Sequence, residues 1–423
     1  MTKPNVTPST GYAPVPGPGY PNHPEHAHPE ARVLLYSQRN SDRWAWQAAN
    51  YEIEDVIAEV DRVHLVAPQR RRLTRAQHAA EWVRNRAKGR EWNQLVPHVQ
   101  PRTVERDYDL FFGIFQFPYE LPRLDFLRDW RRRCRKAVCV IHELWRPKLK
   151  QIEAYLPALD QFDHVFLANR SSVEPLAGRI SATVSYLPFS IDVERFTPYP
   201  EPPPRGTDHY SMGRRSPAVH AALLDLVERE RLTYLYDTLL VSRVRDYREH
   251  RLLVANMAKR SRYFSAYRIN DNAERLEKTG GEEGLALRYF EGAAAGAVLL
   301  GSRPQCVEHD ECFDWEDSTV DVAFDGSDLH AVLDSLDADP ERVARIRRDN
   351  VVNSLRRHDA LYRWQQVLDA AGLPHTPAMA ARGERLERLA QLALADSSEL
   401  ADAGGAVRRG AWAGDRRAAA SPR

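Results

Sequence analysis

Short apolar runs alternate with amphipathic stretches along the first half of the chain. The runs are RVLLY (32–36), RVHLV (62–66), DLFFGIF (109–115), AVCVI (137–141), HVFLA (164–168) and TVSYL (183–187). Between the first two runs, apolar residues that include Trp46, Ile53 and Val60 recur at helical spacing. Continuous apolar strands that alternate with helices indicate a parallel sheet covered on both faces. The pattern predicts an α/β domain over residues 32–197.

The alternation stops at a proline-rich segment and then resumes. TPYPEPPPRGTD, which begins at Thr197, holds five prolines in twelve residues and predicts a linker over 198–206. A helical pattern near 216–231 follows, and then come the apolar runs DTLLVS (237–242), RYFSAY (262–267), AVLLG (297–301) and TVDVAF (319–324). We therefore predict a second α/β domain over 207–356. Two doubly wound, Rossmann-like domains would face each other across a cleft, at the carboxyl ends of their strands.

Both ends of the chain lack this pattern. Residues 1–31 are rich in proline, glycine and histidine, and residues 374–423 are rich in arginine and alanine. We expect a disordered N-terminal arm and a mostly disordered C-terminal tail, with one surface helix allowed over 383–396. Deleting both ends should then leave folding unchanged.

Charge and cysteine content argue against several classes of protein. Sixty basic residues against 59 acidic ones leave a net charge of +1, which gives no global attraction to nucleic acid or to an anionic membrane. Four cysteines in 423 residues are too few for a secreted disulfide framework, and the first residues lack the layout of a signal peptide. We expect a cytoplasmic protein without an integral membrane segment.

The most informative window is GGEEGLALRYFEGAAAGAVLLGS, residues 280–302. Gly280 and Gly281 permit a tight turn, and the helix that follows offers free N–H groups and a positive dipole end, which suit an anion such as a diphosphate. Glu283 precedes Glu291 by eight residues, so one carboxylate lies on the loop and the other about two turns inside the helix. The small residues after Glu291 allow this helix to approach the sheet closely, with Glu291 projecting toward the cleft.

This window resembles the group 1, retaining glycosyltransferases of the GT-B fold. Their signature is two glutamates separated by seven residues, followed by small residues and an apolar strand. Three other segments are similar to the same family: VSYLPFSIDVERFTPYP (184–200), AVCVIHELW (137–145) and RHDALYRWQQVLDAAGL (357–373). The resemblance covers about residues 32–373, and it implies that 357–373 is a helix that crosses back onto the first domain.

The resemblance also implies roles for individual residues. Glu283 would contact the donor sugar, Glu291 would hold the ribose hydroxyls of the nucleotide, and His142 would contact the sugar from the first domain. Gly284 and Leu285, which follow Glu283 in the motif, are expected at the donor site as well.

Two arginines are candidates for the donor phosphates. Arg243 and Arg248 stand five residues apart, where the family has an arginine and a lysine, and a guanidinium can clamp a phosphate with two hydrogen bonds. The alternative for Arg248 is a solvated helix face. One departure concerns the acceptor: the family's glycine-rich turn after the first strand is replaced by SQRNSDRW (37–44), which leaves the acceptor open.

Other constellations are weaker. Asp107 and Asp109 imitate a metal-binding acid pair but open an apolar strand. Cys306, His309 and Cys312 could be three zinc ligands, yet a fourth ligand is not evident. We expect no metal, and no cofactor besides a nucleotide diphosphate sugar as co-substrate.

The sequence thus predicts a metal-independent glycosyltransferase that moves a sugar from a nucleotide diphosphate donor to an acceptor. The acceptor is left as a glycan, a lipid-linked molecule or a small molecule, and nucleic acid is not expected as a partner. The alternative is a non-catalytic nucleotide-sugar-binding or scaffold protein of the same fold.

Overall fold

The structure is a computed structural model that describes residues 25–40, 44–67, 83, 101–213, 215–237, 244–270 and 273–396. The strands of the first domain are β1 His26–Ala27, β2 Val33–Tyr36, β3 Val63–Val66, β4 Arg102–Thr103, β5 Tyr108–Phe115, β6 Leu127–Arg128, β7 Cys134–Ile141, β8 His164–Leu167 and β9 Thr183–Tyr186. Its α-helices are α1 Ala45–Val60, α2 Trp130–Arg133, α3 Leu156–Leu159, α4 Val173–Ala177 and α5 Val193–Phe196. Four 3₁₀ helices complete this part: Pro118–Phe126, Arg146–Gln151, Glu153–Tyr155 and Arg170–Ser172.

Seven of these strands form one sheet in the order β1-β3-β2-β5-β7-β8-β9. Only β1 runs antiparallel to its neighbour, while the other neighbouring pairs are parallel. The chain leaves β2 toward β3 and returns on the other side of β2 at β5. The strand order therefore reverses between the carboxyl ends of β2 and β5, which is where doubly wound sheets bind ligands. β4 and β6 pair in a separate small sheet.

The second domain has a smaller sheet of the same kind. Its strands are β10 Thr207–Ser211, β11 Tyr234–Tyr236, β12 Ser261–Ala266, β13 Val298–Gly301 and β14 Val320–Asp321, in the order β11-β10-β12-β13-β14, all parallel. The remaining helices are α6 Pro217–Glu228, α7 Tyr247–Lys259, α8 Ala273–Thr279, α9 Leu287–Ala294, α10 Val307–Cys312, α11 Leu329–Ala338, α12 Pro340–Arg357, α13 Ala360–Ala371 and α14 Pro377–Ala395. Here the strand order reverses between β10 and β12. The predicted fold class, two doubly wound α/β domains, is confirmed.

The central strand β10 is the main element that the apolar pattern does not predict. Its sequence TDHYS is polar, yet His209 and Ser211 are buried. The imidazole Nε2 of His209 is 2.7 Å from the Ser265 hydroxyl on the neighbouring strand β12, which gives that atom a partner inside the sheet, whereas the buried Nδ1 has none among the described residues. The strand predicted over 237–242 lies outside the described residues except for Asp237, and β11 ends just before it.

The C-terminal region is more ordered than predicted. Residues 377–395 form α14, which packs against α12 and α1 and buries an apolar face that includes Met379 and Leu386. The Arg382 side chain is 1% exposed and pairs with Asp359 at 2.9 Å and with Asp192 at 2.7 Å. The predicted disorder after residue 374 therefore does not hold for 377–395, which make buried apolar and ionic contacts.

The N-terminal arm needs a similar correction. His26–Ala27 pairs with β3 at the edge of the first sheet, and the Glu25 carboxylate accepts a hydrogen bond from the Ala67 amide at 3.3 Å. The predicted disorder of 1–31 therefore does not hold from residue 25 onward, and residues 1–24 lie outside the described part of the chain.

We expect Arg382→Met to lower the melting temperature by several degrees. The substitution leaves the fully buried Asp359 without its main cation, and breaking one side of a buried pair costs about 3–5 kcal/mol. Arg388→Met is the matched control, because the Arg388 side chain lies on the same helix and is 66% exposed. Calorimetric scans that give the same melting temperature for both variants would contradict the docking of α14.

Candidate functional site

The carboxyl ends of the two sheets face each other, and the glycine-rich loop of the second domain lies on the first. A Cβ atom on Gly280 would overlap Pro147, and one on Gly284 would lie 2.9 Å from the ring of Trp145. Glu282, between these glycines, accepts a hydrogen bond from the Ser171 hydroxyl at 2.8 Å. The glycines thus let the backbone of this loop approach the first domain closely.

Glu283 is tied to other parts of the second domain. Its Oε2 accepts a hydrogen bond from the Gln305 amide at 2.6 Å, and its Oε1 lies 3.4 Å from Arg268. The side chain is only 11% exposed. Glu283 therefore holds together the chain segments that follow β12 and β13, at the carboxyl edge of the sheet.

Gly284 and Leu285 are both buried at the same border. Gly284 contacts Trp145 and approaches the Asn169 amide, and Leu285 joins the apolar cluster that runs between the two sheets. Asn169 also accepts a hydrogen bond from the Leu144 amide at 3.0 Å. The loop that follows Glu283 therefore contacts the turn that follows His142.

His142 lies at the carboxyl end of β7, as expected for a residue aimed at the border between the domains. Its ring centre is 4.8 Å from that of Phe189, and the side chain lines a small cavity of about 20 Å³ that Ser190 and Trp364 also line. Burial lowers the pKa of His142 to about 4. The imidazole is therefore neutral near pH 7, able to exchange hydrogen bonds but not to act as a cation.

The sequence predicts that Glu291 projects toward the open cleft, but in the structure this side chain is enclosed. It is 1% exposed and forms an ion pair with Arg251 of α7, which also reaches Glu52 of α1 in the first domain at 2.9 Å. Burial raises the pKa of Glu52 to about 7 even beside this guanidinium. One buried arginine thus joins a carboxylate from each domain, and its side chain occupies the space in front of Glu291.

Of the two arginines predicted to bind phosphate, the structure describes only Arg248. Arg243 lies outside the described residues. Arg248 lies in the first turn of α7 with a side chain that is 54% exposed, and its Nε lies 3.1 Å from Asp55 of the first domain. Tyr247 donates a hydrogen bond to the same carboxylate at 2.7 Å. Arg248 is thus engaged in a contact between domains.

We expect Arg251→Met to destabilise the chain by about 3–5 kcal/mol at pH 8 or above, because it leaves the buried Glu291 without its cation and leaves Glu52 with only the partly exposed Arg195 at 3.3 Å. The loss should shrink toward pH 6. A carboxyl group whose pKa is raised on folding favours the folded state below its unfolded pKa, and this stability is lost as the pH rises through the folded value.

Urea unfolding at the two pH values measures this effect. Arg229→Met removes an exposed arginine paired at 2.9 Å within one helix turn, and serves as the control that should change little. A loss for Arg251→Met that equals the control, or that grows on acidification, would contradict the bridging role.

Sequence reasoning missed Arg288, in the first turn of α9. Its Nε and Nη1 atoms are buried and have no hydrogen-bond partner among the described residues. Burial lowers the pKa of this guanidinium, although Glu291 and Asp237 oppose the shift. A buried guanidinium with unused donors is costly, and an anion would satisfy it.

Arg288 lies beside the loop that follows the central strand β10. Gly213 in this loop has φ +70°, and a Cβ atom there would overlap the Arg288 guanidinium. The Asp237 carboxylate fixes the loop by accepting hydrogen bonds from the Gly213 amide and from Arg215, both at 2.9 Å. Ser216 then caps the first turn of α6. The residues MGRRS (212–216), a glycine and two arginines between a strand and a capped helix, could have indicated an anion site. They were not recognised because β10 itself was not predicted.

The side chains considered as metal ligands are not gathered into a metal site. Asp107 pairs with Arg133 at 3.0 Å at the amino end of β5, opposite the edge where the domains meet. Within the described residues, no group of three or more His, Cys, Asp or Glu side chains is arranged to hold a metal ion.

The comparisons with known proteins point to one family. Residues 245–369, which include Arg251, Arg288 and Glu291, match the family model described as glycosyl transferase-like. None of the curated proteins matches the chain. Across the described residues, no helix is long and apolar enough to cross a bilayer.

Several solved structures are similar in outline. An alpha-glucosyltransferase in complex with UDP-glucose and DNA containing an abasic site covers 81% of this chain and 99% of its own, with 13% identity and a TM-score of 0.46. A glycosyltransferase from Rickettsia africae covers 81% of this chain and 97% of its own, with 10% identity and a TM-score of 0.45. The S. aureus protein TarM, in a complex with UDP, covers 62% of this chain and 55% of its own, with 9% identity and a TM-score of 0.39.

Proposed function

We propose that the chain transfers a sugar from a nucleotide diphosphate sugar to an acceptor hydroxyl, because residues 245–369 match a glycosyl transferase-like family model. In this reaction the acceptor oxygen forms a bond to the anomeric carbon of the donor sugar. The bond from that carbon to the diphosphate breaks, and its electron pair stays on the phosphate oxygen. The hydroxyl proton passes to solvent or to the released phosphate.

The observation that carries the proposal is the unsatisfied guanidinium of Arg288. Two of its buried nitrogen atoms lack partners in the described structure, and it lies where the strand order of the second sheet reverses. A diphosphate placed between Arg288 and the Gly213 loop would receive charged hydrogen bonds from the guanidinium, and would face the capped amino end of α6. The donor phosphates would thus bind here rather than at Arg243 and Arg248.

The same arrangement supports the chemical step. Negative charge grows on the diphosphate as the glycosidic bond breaks, so a cation held in place before the reaction stabilises the transition state more than the ground state. Neutral His142 would exchange hydrogen bonds with the sugar from the first domain, and Glu283 would orient that sugar from the second. If Glu291 holds the ribose hydroxyls, its carboxylate would have to accept their hydrogen bonds while it stays paired with Arg251. Whether the configuration of the sugar is retained stays an implication of the resemblance.

We expect Arg288→Gln to weaken the binding of nucleotide diphosphates by about ten- to a hundredfold. Charge-assisted hydrogen bonds are worth roughly 1.5–3 kcal/mol each, and one such contact accounts for a change of this size. Calorimetric titration with UDP, GDP and ADP gives the affinities. Arg231→Gln is the matched control, because Arg231 lies in the same domain at the opposite edge of the sheet, half exposed and paired with Asp334.

A second readout separates a binding role from a structural one. Since the Arg288 guanidinium is short of partners in the free protein, Arg288→Gln should leave the melting temperature unchanged or raise it. The nucleotide should raise the melting temperature of the parent but not that of the variant. A variant that melts several degrees lower and binds nucleotide like the parent would overturn this assignment.

We also expect turnover that does not depend on a metal ion. If Arg288 and backbone N–H groups stabilise the negative charge of the diphosphate, a chelator should leave nucleotide release from the donor sugar nearly intact. An assay with and without EDTA tests this expectation. If EDTA abolishes release and magnesium or manganese restores it, a metal ion stabilises the leaving group and the account above fails.

A further inference from the structure

A small cavity lies beneath α13, the helix that packs on α1 and β7 of the first domain. Its volume is about 20 Å³, and residues of α1, β5, β7 and α13 line it together with the turn that holds Pro188. Most of the lining is apolar, but His142, Ser190 and Arg363 contribute polar side chains. A cavity of this size holds one particle about as large as a water molecule.

The three polar side chains carry hydrogen-bonding atoms that the protein does not use. Within the described part of the chain, no hydrogen-bond partner is present for the ring nitrogens of His142, for the Ser190 hydroxyl or for the Nη1 atom of Arg363. All three residues are buried, with exposed fractions of 6%, 3% and 9%. A guanidinium, a hydroxyl and a neutral imidazole can each donate a hydrogen bond. The cavity therefore presents donors from three separate segments to one occupant.

Arg363 brings a positive charge to this cavity, and its own partners are neutral. Its Nε donates a hydrogen bond to the Pro188 carbonyl at 3.1 Å, and its Nη2 donates one to the Arg357 carbonyl at 3.2 Å. Among the described residues, no carboxylate forms an ion pair with this guanidinium. Burial lowers the pKa of Arg363, as expected for a buried cation with too little negative charge around it.

The carboxylates on neighbouring segments are committed to other cations. Asp359 pairs with Arg382 at 2.9 Å, and Asp61 pairs with Arg32 at 2.8 Å. These ion pairs neutralise the acids that could otherwise balance Arg363. The buried guanidinium is therefore left with an excess positive charge, which is costly in a poorly solvated site.

We propose that this cavity binds a halide ion, which is chloride under ordinary physiological conditions. The ion would accept hydrogen bonds from the Nη1 atom of Arg363, the Ser190 hydroxyl and one ring N–H of His142. A water molecule would fit the same space but would leave the positive charge unbalanced, and an oxyanion such as phosphate is too large for it.

The bound ion would tie α13 to the end of β7 and to the turn after β9, and so it would stabilise the crossing between the domains. It would also fix the tautomer of the neutral His142. Because only one ring nitrogen then carries a proton, the other stays available to accept a hydrogen bond from a sugar hydroxyl. The halide site is distinct from the phosphate site at Arg288 and does not depend on the proposed function.

Thermal unfolding of the full chain in sodium chloride and in sodium gluconate at equal ionic strength separates a bound halide from general screening by salt. A site of millimolar affinity should raise the melting temperature by about 2–4 °C in about 0.3 M chloride relative to gluconate, and bromide should act like chloride. Arg363→Met should lose most of this increase, and Ser190→Ala should lose part of it. Arg388→Met removes an arginine whose side chain is 66% exposed, and this control should keep the full increase.

Two further measurements locate the ion. Arg288→Gln should keep most of the increase, although the unused donors of Arg288 offer chloride another place to bind. Diffraction at the bromine absorption edge, from crystals of the full chain grown in sodium bromide, does not require any variant to fold. We expect an anomalous peak in the cavity within hydrogen-bonding distance of Arg363 and Ser190.

Three results would overturn the halide site. They are equal melting temperatures in chloride and gluconate, a chloride-dependent increase that Arg363→Met leaves intact, and bromide-grown crystals without an anomalous peak in the cavity. An increase that is lost in Arg288→Gln but kept in Arg363→Met would place the ion at the donor site instead.

Discussion

Arg251 is the residue on which the arrangement of the two domains depends. Its guanidinium is fully buried and pairs with Glu52 of the first domain and with Glu291 of the second. A buried charge of this kind stabilises a structure only when its partners stay in place, because losing one of them leaves an uncompensated charge. The triad therefore fixes α1, α7 and α9 relative to one another. It also fixes the carboxyl edges that face each other, with the glycine-rich loop on one side and His142 on the other.

Two further groups of charges extend the same border. Arg248 and Tyr247 reach Asp55 of α1, and Arg382 of α14 gathers Asp359 and Asp192 from the chain near the crossing between domains. The ion pairs among these contacts all use arginine, whose planar guanidinium can serve two or more carboxylates at once. Arg288 differs from them. It is a guanidinium at the same border whose Nε and Nη1 donors have no partner among the described residues, and the proposal that it binds the donor phosphates rests on this difference.

The fold class could be predicted from the sequence because most strands of both sheets are continuous apolar runs. The exception is instructive: β10 is polar, and the Nε2 atom of its buried His209 finds a partner in Ser265 on β12, which is a tertiary contact that no local pattern contains. Because β10 was not predicted, the loop at Gly213 was not among the predicted site residues. The window 280–302 was predicted to be the donor site, and the structure shows that its glycine-rich loop contacts the first domain. The partner of Glu291 could not be foreseen, since Arg251 lies 40 positions away. Likewise, the tail helix shows weak amphipathicity alone and gains its order from Arg382 and its carboxylates.

The most direct measurement is a structure of the full chain with a nucleotide diphosphate bound. The account predicts phosphate oxygens within about 2.7–3.2 Å of the Arg288 nitrogen atoms and beside Gly213, with the Glu52–Arg251–Glu291 triad still defining the border between the domains. A diphosphate bound at Arg248, or bound anywhere else with the Arg288 donors still unsatisfied, would contradict it.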